Sequence, residues 1–180
     1  MSKFVVYFDK QGTKFNLDYQ KVEGRNIAPY YRIRAELDKT GDKIGECVFE
    51  IKDKKNNNVY DFTKPAGFVE KPKRVCFLKK LAVEPKFDDK FFKQGVGSVL
   101  LKAMENVAVA QEANSINASD VMINNNNNPH FLDYSNLFAN NDYAVSSYLV
   151  FKDDLERHTD IVAENVQDVE PLSDDDLHTL

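Results

Sequence analysis

Between residues 14 and 53 apolar and polar positions alternate. Phe15, Leu17 and Tyr19 are each separated by one polar residue, and Tyr31, Ile33, Ala35 and Leu37 alternate with Arg32, Arg34 and Glu36. A period of two puts every second side chain on one face, so this spacing predicts strands over 14–22 and 30–38 with one face buried. The apolar run 4–9 reads as a strand before them, with Gly12 in the turn. Lys39-Thr40-Gly41-Asp42 reads as a hairpin turn, and a strand over 43–53 returns from it. Residues 54–73 contain three asparagines and two prolines and read as a long exposed loop, with room for a short strand over 59–62. The next strand is 74–83, closed by Pro85.

From Val96 the period changes. Val99, Leu100, Ala103, Met104, Val107 and Ala108 recur three and four apart, which predicts an amphipathic helix from 96 to about 113. The run 120–124, Asp-Val-Met-Ile-Asn, reads as a short strand, and the asparagines 124–128 before Pro129 as low-complexity loop. A short helix over 130–141 and a final strand over 143–153 complete the body. Strands before and after helices, joined by connections of mixed length, indicate an α/β or α+β layered fold.

Composition narrows the class. The chain has 180 residues, 42% hydrophobic and 12% aromatic, enough for one sizeable core. No apolar stretch approaches the length of a membrane span, and the first ten residues lack the pattern of a signal peptide. Cys47 and Cys76 lie far apart in strand-like runs and read as buried free thiols, so a cytoplasmic location is expected. Three scattered histidines have no metal-ligand spacing, and no metal is expected. The charge is split. Residues 153–180 hold ten carboxylates against Arg157 alone, a net of −9, while the rest holds 23 bases and 19 acids, a net of +4. A body that weakly basic, without interleaved aromatics, predicts neither a nucleic-acid nor a membrane partner.

Two glycines at the entrance of the 96–113 helix carry the candidate chemistry. Gln94-Gly95-Val96-Gly97-Ser98 lacks the lysine–hydroxyl pair of a nucleotide triphosphate loop. It also lacks the third glycine and the tight strand-to-glycine turn of a dinucleotide site. What stays is the physics those loops share. Free N–H groups and the positive dipole end of a helix attract an anion, and glycines let it come close. Lys90 and Lys93 add positive charge nearby. Two readings of the glycines stand side by side: a pyrophosphate lying on 94–98, or close packing of the helix on the sheet.

Leu81-x-Val83-x-Pro85, a loop, and Gln94-Gly95-Val96-Gly97-Ser98 opening an amphipathic helix resemble the acetyl-CoA signature of the GNAT N-acetyltransferases. The resemblance spans roughly residues 30–152 and is most specific over 76–112. It implies a GNAT-like, mostly antiparallel mixed sheet flanked by helices, in which the strand ending at Val83 splays from the 120–124 strand. It further implies that acetyl-CoA, as co-substrate, lies in that gap. Its pantetheine arm would run along Leu81, Ala82 and Val83, its pyrophosphate would lie on the amides of Gln94, Gly95, Val96, Gly97 and Ser98, and Asn124 or a neighbour would contact it. The activity implied is transfer of an acetyl group to an amine.

The chain departs from the family pattern at four places. Phe92 stands where the family has Arg or Gln. Phe138 falls at the position of the family's proton-donating tyrosine, leaving Tyr134 as the nearest phenol; it reads either as the general acid or as an ordinary helix aromatic. Residues 74–83 contain no carboxylate to serve as general base. That leaves Glu84, and Glu46 or Glu50 if they face the cleft. Deprotonating a lysine amine (pKa near ~10.4) at about pH 7.4 costs roughly 4 kcal/mol, against under ~1 for an α-amine, so a missing base favours a weakly basic acceptor. Finally, residues 9–29 are too short and strand-like for two helices, which opens the acceptor side to a protein or peptide amine. A GNAT-fold interaction or CoA-binding module without catalysis is the alternative.

The domain expected over 1–152 is followed by an acidic tail over 153–180. Leu155, Val162, Val166 and Val169 are spaced for a helix beginning near 153–154 and ending at Pro171, with the remainder an exposed extension. Two readings of 153–170 stand: a helix docked on the body or on a second subunit, which makes a homodimer a candidate assembly, or a solvated, disordered extension.

Overall fold

The alternating runs form strands, as their period requires. β1 (Phe4–Phe8), β2 (Lys14–Gly24), β3 (Ile27–Leu37), β4 (Lys43–Lys54) and β5 (Lys73–Val83) make a meander in which each strand is antiparallel to the one before. The computed structural model describes residues 4–8, 14–54, 73–83, 95–124, 131–147, 149–159 and 171–172. After β5, α1 (Val96–Ala110) crosses the sheet and delivers β6 (Ser115–Asn117) parallel to β5. Next come α2 (Ser119–Asn124), α3 (Phe131–Asn140) and a hairpin of β7 (Ala144–Ser146) and β8 (Leu149–Asp153), with β8 antiparallel to β6. The strand order is β1-β2-β3-β4-β5-β6-β8-β7, and β9 (Pro171–Leu172) lies parallel to β2 at Lys21 and Val22. The fold is a mixed α/β layer built on a mostly antiparallel sheet, as expected.

One sheet face carries the core. Phe15, Leu17, Ile33, Ala35, Cys47, Phe49 and Leu78 point there and are at most 1% exposed, under Leu100, Leu101, Met104 and Val107 of α1. Gly45 of β4 lets α1 settle this close. A Cβ there would meet the Ala82 carbonyl oxygen at 3.0 Å and Leu100 Cδ1 at 3.2 Å. A bulge opposite Val48 and Phe49 pairs them with Lys80 and Leu78, so Lys79 is the extra residue. It lets Leu78 and Leu81, three apart, both enter the core. β5 and β6 pair only from Val75 to Phe77, while β5 continues to Val83, so among the described residues its far edge has no strand partner.

Several elements differ from the sequence expectation. Residues 120–124 are helix, not strand. The Asn117 side-chain oxygen accepts from the Ser119 N–H at 2.9 Å and starts α2, and the strand beside β5 is β6, five residues earlier. A short apolar run fits either period, so the pattern could not decide. The single strand over 143–153 is a hairpin, because Ser147 adopts φ 51° and turns the chain without glycine. α1 stops at Ala110 rather than near 113. Glu112 takes φ 62°, and Ala113 N–H bonds the Ala108 carbonyl at 2.8 Å, closing the helix with a non-glycine residue.

No helix begins at 153–154. β8 runs to Asp153, Asp154 turns at φ 53°, and the chain stays non-helical to Thr159. Leu155 packs against the core, and Asn106 of α1 grips His158 by two bonds, to its carbonyl at 3.0 Å and from its N–H at 2.7 Å. Val162, Val166 and Val169, the strand over 59–62 and the asparagines 125–128 lie outside the described residues. Pro171 and Leu172 pair with β2, and the residues before them, 160–170, lie outside the described residues. Five residues separate β1 from β2 and the next strands follow directly, so the family's pair of helices is not at this position. No described helix is long and apolar enough to cross a membrane, and among the described residues no group of three His, Cys, Asp or Glu could hold a metal.

Candidate functional site

The unpaired end of β5, the entrance of α1 and one side of α3 enclose a cavity of about 430 Å³. Leu81 and Val83 line it from β5, and Gly95, Gly97 and Ser98 from α1. From α3 come Asp133, Tyr134, Asn136, Leu137 and Asn140. The two glycines meet different demands. Gly95, the N-cap, has φ 97° and ψ −2°, a left-handed backbone that suits glycine. Gly97 is buried, and a Cβ there would lie 3.0 Å from Leu137 Cδ2. The approach that Gly97 permits is that of α3.

Electrostatics at the α1 entrance favour an anion. The first ladder bond of the helix is Val99 N–H to the Gly95 carbonyl, at 3.0 Å, so the N–H groups of Val96, Gly97 and Ser98 precede it without intrahelical acceptors. Gly95 offers no side-chain cap, and the first turn holds no acid that would compete. Asn141, just past α3, donates its side-chain amide to Ser98 Oγ at 3.1 Å. Opposite, the Tyr134 hydroxyl donates to the Leu81 carbonyl at 3.2 Å, bridging α3 to the bare edge of β5. Burial raises the Tyr134 pKa.

Of the residues named from the sequence, Leu81, Val83, Gly95, Gly97, Ser98 and Tyr134 line this cavity. Val96 is not part of the lining; its side chain is fully buried in the core. Ala82, between Leu81 and Val83, points to the opposite sheet face, with Glu46 as its cross-strand neighbour. Asn124 is an exposed residue at the end of α2 and is not part of the lining. Gln94, Glu84, Lys90, Phe92 and Lys93 lie outside the described residues. Phe138 is fully buried and packs edge-on against Tyr143 at 5.4 Å between ring centroids.

Neither hairpin glutamate is set up as a base. Burial works to raise the Glu46 pKa, but the Lys80 hydrogen bond and the charges of Lys43, Lys80 and Arg32 outweigh it and hold the carboxyl below its usual range. Glu50 pairs with Lys52 at 2.9 Å. Sequence reading missed the α3 side of the site: Asp133, Asn136, Leu137, Asn140 and Asn141. Their signal was faintly present, because 133, 137 and 140–141 share one helical face and most of these residues are polar. Nothing local says which partner that face meets.

Behind the cavity lies a buried charged group. Glu105 of α1 is fully buried and pairs with Lys152 of β8, and it lies 3.3 Å from His158 Nε2. Lys152 also donates to the Asn141 carbonyl at 3.0 Å.

The sequence matches no model of a protein family and no curated protein. Among solved structures, a cAMP-binding acyltransferase from Mycobacterium smegmatis has a similar fold, with a TM-score of 0.52 and 12% identity. The match covers 99% of this chain and 52% of that one, so the chain spans about half the length of the structure it resembles. At this identity the likeness is one of fold: the architecture is acyltransferase-like.

Proposed function

We propose that this protein is an acetyl-CoA-dependent N-acyltransferase acting on the amine of a protein or peptide. The observation that carries the reading is the α1 entrance: the N–H groups of Gly97 and Ser98, without intrahelical acceptors, lie at a cavity whose other wall is a strand edge with no strand partner among the described residues. An anion suits the first wall, and an amide-bearing chain suits the second. CoA has both parts in one molecule. On this reading the first turn of α1 with Ser98 holds the pyrophosphate, and the backbone of Leu81 and Val83 pairs with the pantetheine amides. The acyl group then reaches the splay beside Ala82. An amine arriving from the opposite sheet face attacks the thioester carbonyl, the C–S bond breaks and the thiol is released. A backbone N–H near Val83 stabilises the oxygen as charge develops on it.

The described residues around the splay support a weakly basic acceptor. Glu46 is held ionised by lysines and is too weak a base to deprotonate a lysine ammonium. An α-amine or another weakly basic amine needs little help. Tyr134 is the nearest phenol for the departing sulfur, although its proton is engaged with Leu81 in this structure. That engagement favours a second reading, a CoA-binding module without turnover.

Calorimetric titration with acetyl-CoA, followed by thiol release on a panel of peptide α-amines and lysine amines, separates the two. Saturable binding with faster release on α-amines is expected. Binding without release on any amine leaves the module reading, and no binding removes both.

A further inference from the structure

Asn141 sits in the turn after α3, is 8% exposed, and touches the α1 entrance through Ser98. Its amide orientation follows from its neighbours. The Leu137 carbonyl, 2.8 Å away, can only accept, so the atom facing it is the NH₂ group. The same nitrogen lies 3.1 Å from Ser98 Oγ. Ser98 Oγ therefore accepts, and its one proton points elsewhere, with the cavity that Ser98 lines in reach.

We infer that Asn141 is a positioning residue that makes the Ser98 hydroxyl a hydrogen-bond donor to the phosphate end of the ligand. The inference rests on the CoA reading above. With the proton so directed, the α1 wall presents donors alone: the N–H groups of the first turn and one O–H. A phosphate accepts from all of them. Asn141 is held from both sides. Its N–H bonds the Leu137 and Phe138 carbonyls at 3.2 and 3.1 Å, and its own carbonyl accepts from Lys152, which is paired with the buried Glu105. Ser98 and Glu105 are two turns apart on α1, so the helix grips the turn after α3 at two points. The amide that orients Ser98 is fixed by that grip.

The test compares CoA with pantetheine, which lacks the phosphates, by calorimetry on wild type, Ser98→Ala, Asn141→Asp and the double variant. Asn141→Asp keeps the shape but replaces the donor with an acceptor, which draws the Ser98 proton away from the ligand. Each single variant should weaken CoA by about tenfold, the range of a hydrogen bond to a charged group, and leave pantetheine unchanged. The double variant should lose much less than the product of the two, because both act through one proton. Multiplicative losses would assign Asn141→Asp a separate charge effect and overturn the inference, as would equal losses for CoA and pantetheine. Should Asn141→Asp not fold, unchanged CoA affinity in Ser98→Ala overturns it alone, and a CoA-selective loss supports it. Wild-type protein that binds neither compound would overturn the acyltransferase reading along with it.

Discussion

Gly95 and Gly97 stand two positions apart in the same motif, yet a methyl group meets a different obstacle at each. At Gly95 it meets a left-handed backbone with φ 97°, which costs an L-residue about 1–2 kcal/mol. At Gly97 the backbone is helical, where alanine gains up to ~1 kcal/mol over glycine, but the methyl presses on Leu137 Cδ2 at 3.0 Å. Leu137 is half-buried and its methyls can shift. Gly95→Ala should therefore lose about 1–2 kcal/mol in urea denaturation, while Gly97→Ala stays within ~1 kcal/mol of wild type. Equal losses would show that the two glycines share one role. The glycines themselves were plain in the sequence. Which of them faced a strained backbone and which faced α3 was not, because neither φ nor the arrival of Leu137 leaves a trace in the local pattern.

At the scale of elements, α1 and α3 end in the same way, with a left-handed residue that is not glycine. Glu112 and Asp142 adopt φ 62° and 67°, and the next residue in each case bonds back to Ala108 or Phe138 and is itself buried. Such ends hide from a search for glycine stops, which is why the apolar spacing carried α1 to 113 on paper. Strain of this kind can be relieved. Glu112→Gly should stabilise the protein by up to ~1 kcal/mol, and Glu112→Val, β-branched in a left-handed site, should lower stability by about 1–2 kcal/mol. Urea midpoints measured with an unchanged slope give the readout, and Glu112→Val as stable as wild type would contradict the assignment. The short elements were the least legible. Asn117 starting α2 is a local signal that could have been read, whereas the Ser147 turn offers none.

For the molecule as a whole, the deeply buried Cys47, Cys76 and Tyr143 bear on stability at alkaline pH. Burial raises the Cys47, Cys76 and Tyr143 pKa values, and the Glu105 charge pushes Tyr143 further up. Each therefore keeps its proton in the folded state at a pH where the unfolded chain loses it. Stability from these groups is complete below their unfolded values, 9.0 for the thiols and 10.0 for the phenol, and declines as pH rises beyond them. Unfolding free energy should accordingly fall with a steepening slope above pH 9. Tyr143→Phe, which keeps the ring against Phe138, should flatten the part above pH 10. A Tyr143→Phe curve parallel to wild type there would show that the phenol titrates alike in both states.

By itself the sequence determined what repeats over one to four residues. The alternation at 15–19 and 31–37 specified β2 and β3 and their buried faces, and the spacing from 96 to 108 specified α1 with the side it buries. Those features depend on backbone periods that neighbouring residues enforce together. The tertiary structure alone decided which distant groups meet. Asn141 reaches Ser98 across 43 residues, Tyr134 reaches Leu81 across 53 and Asn106 reaches His158 across 52. Each of these contacts depends on the packing of α1 over Gly45, the bulge at Lys79 and the left-handed residues that end α1 and α3. The cavity is a product of those placements, and no periodicity along the chain encodes them.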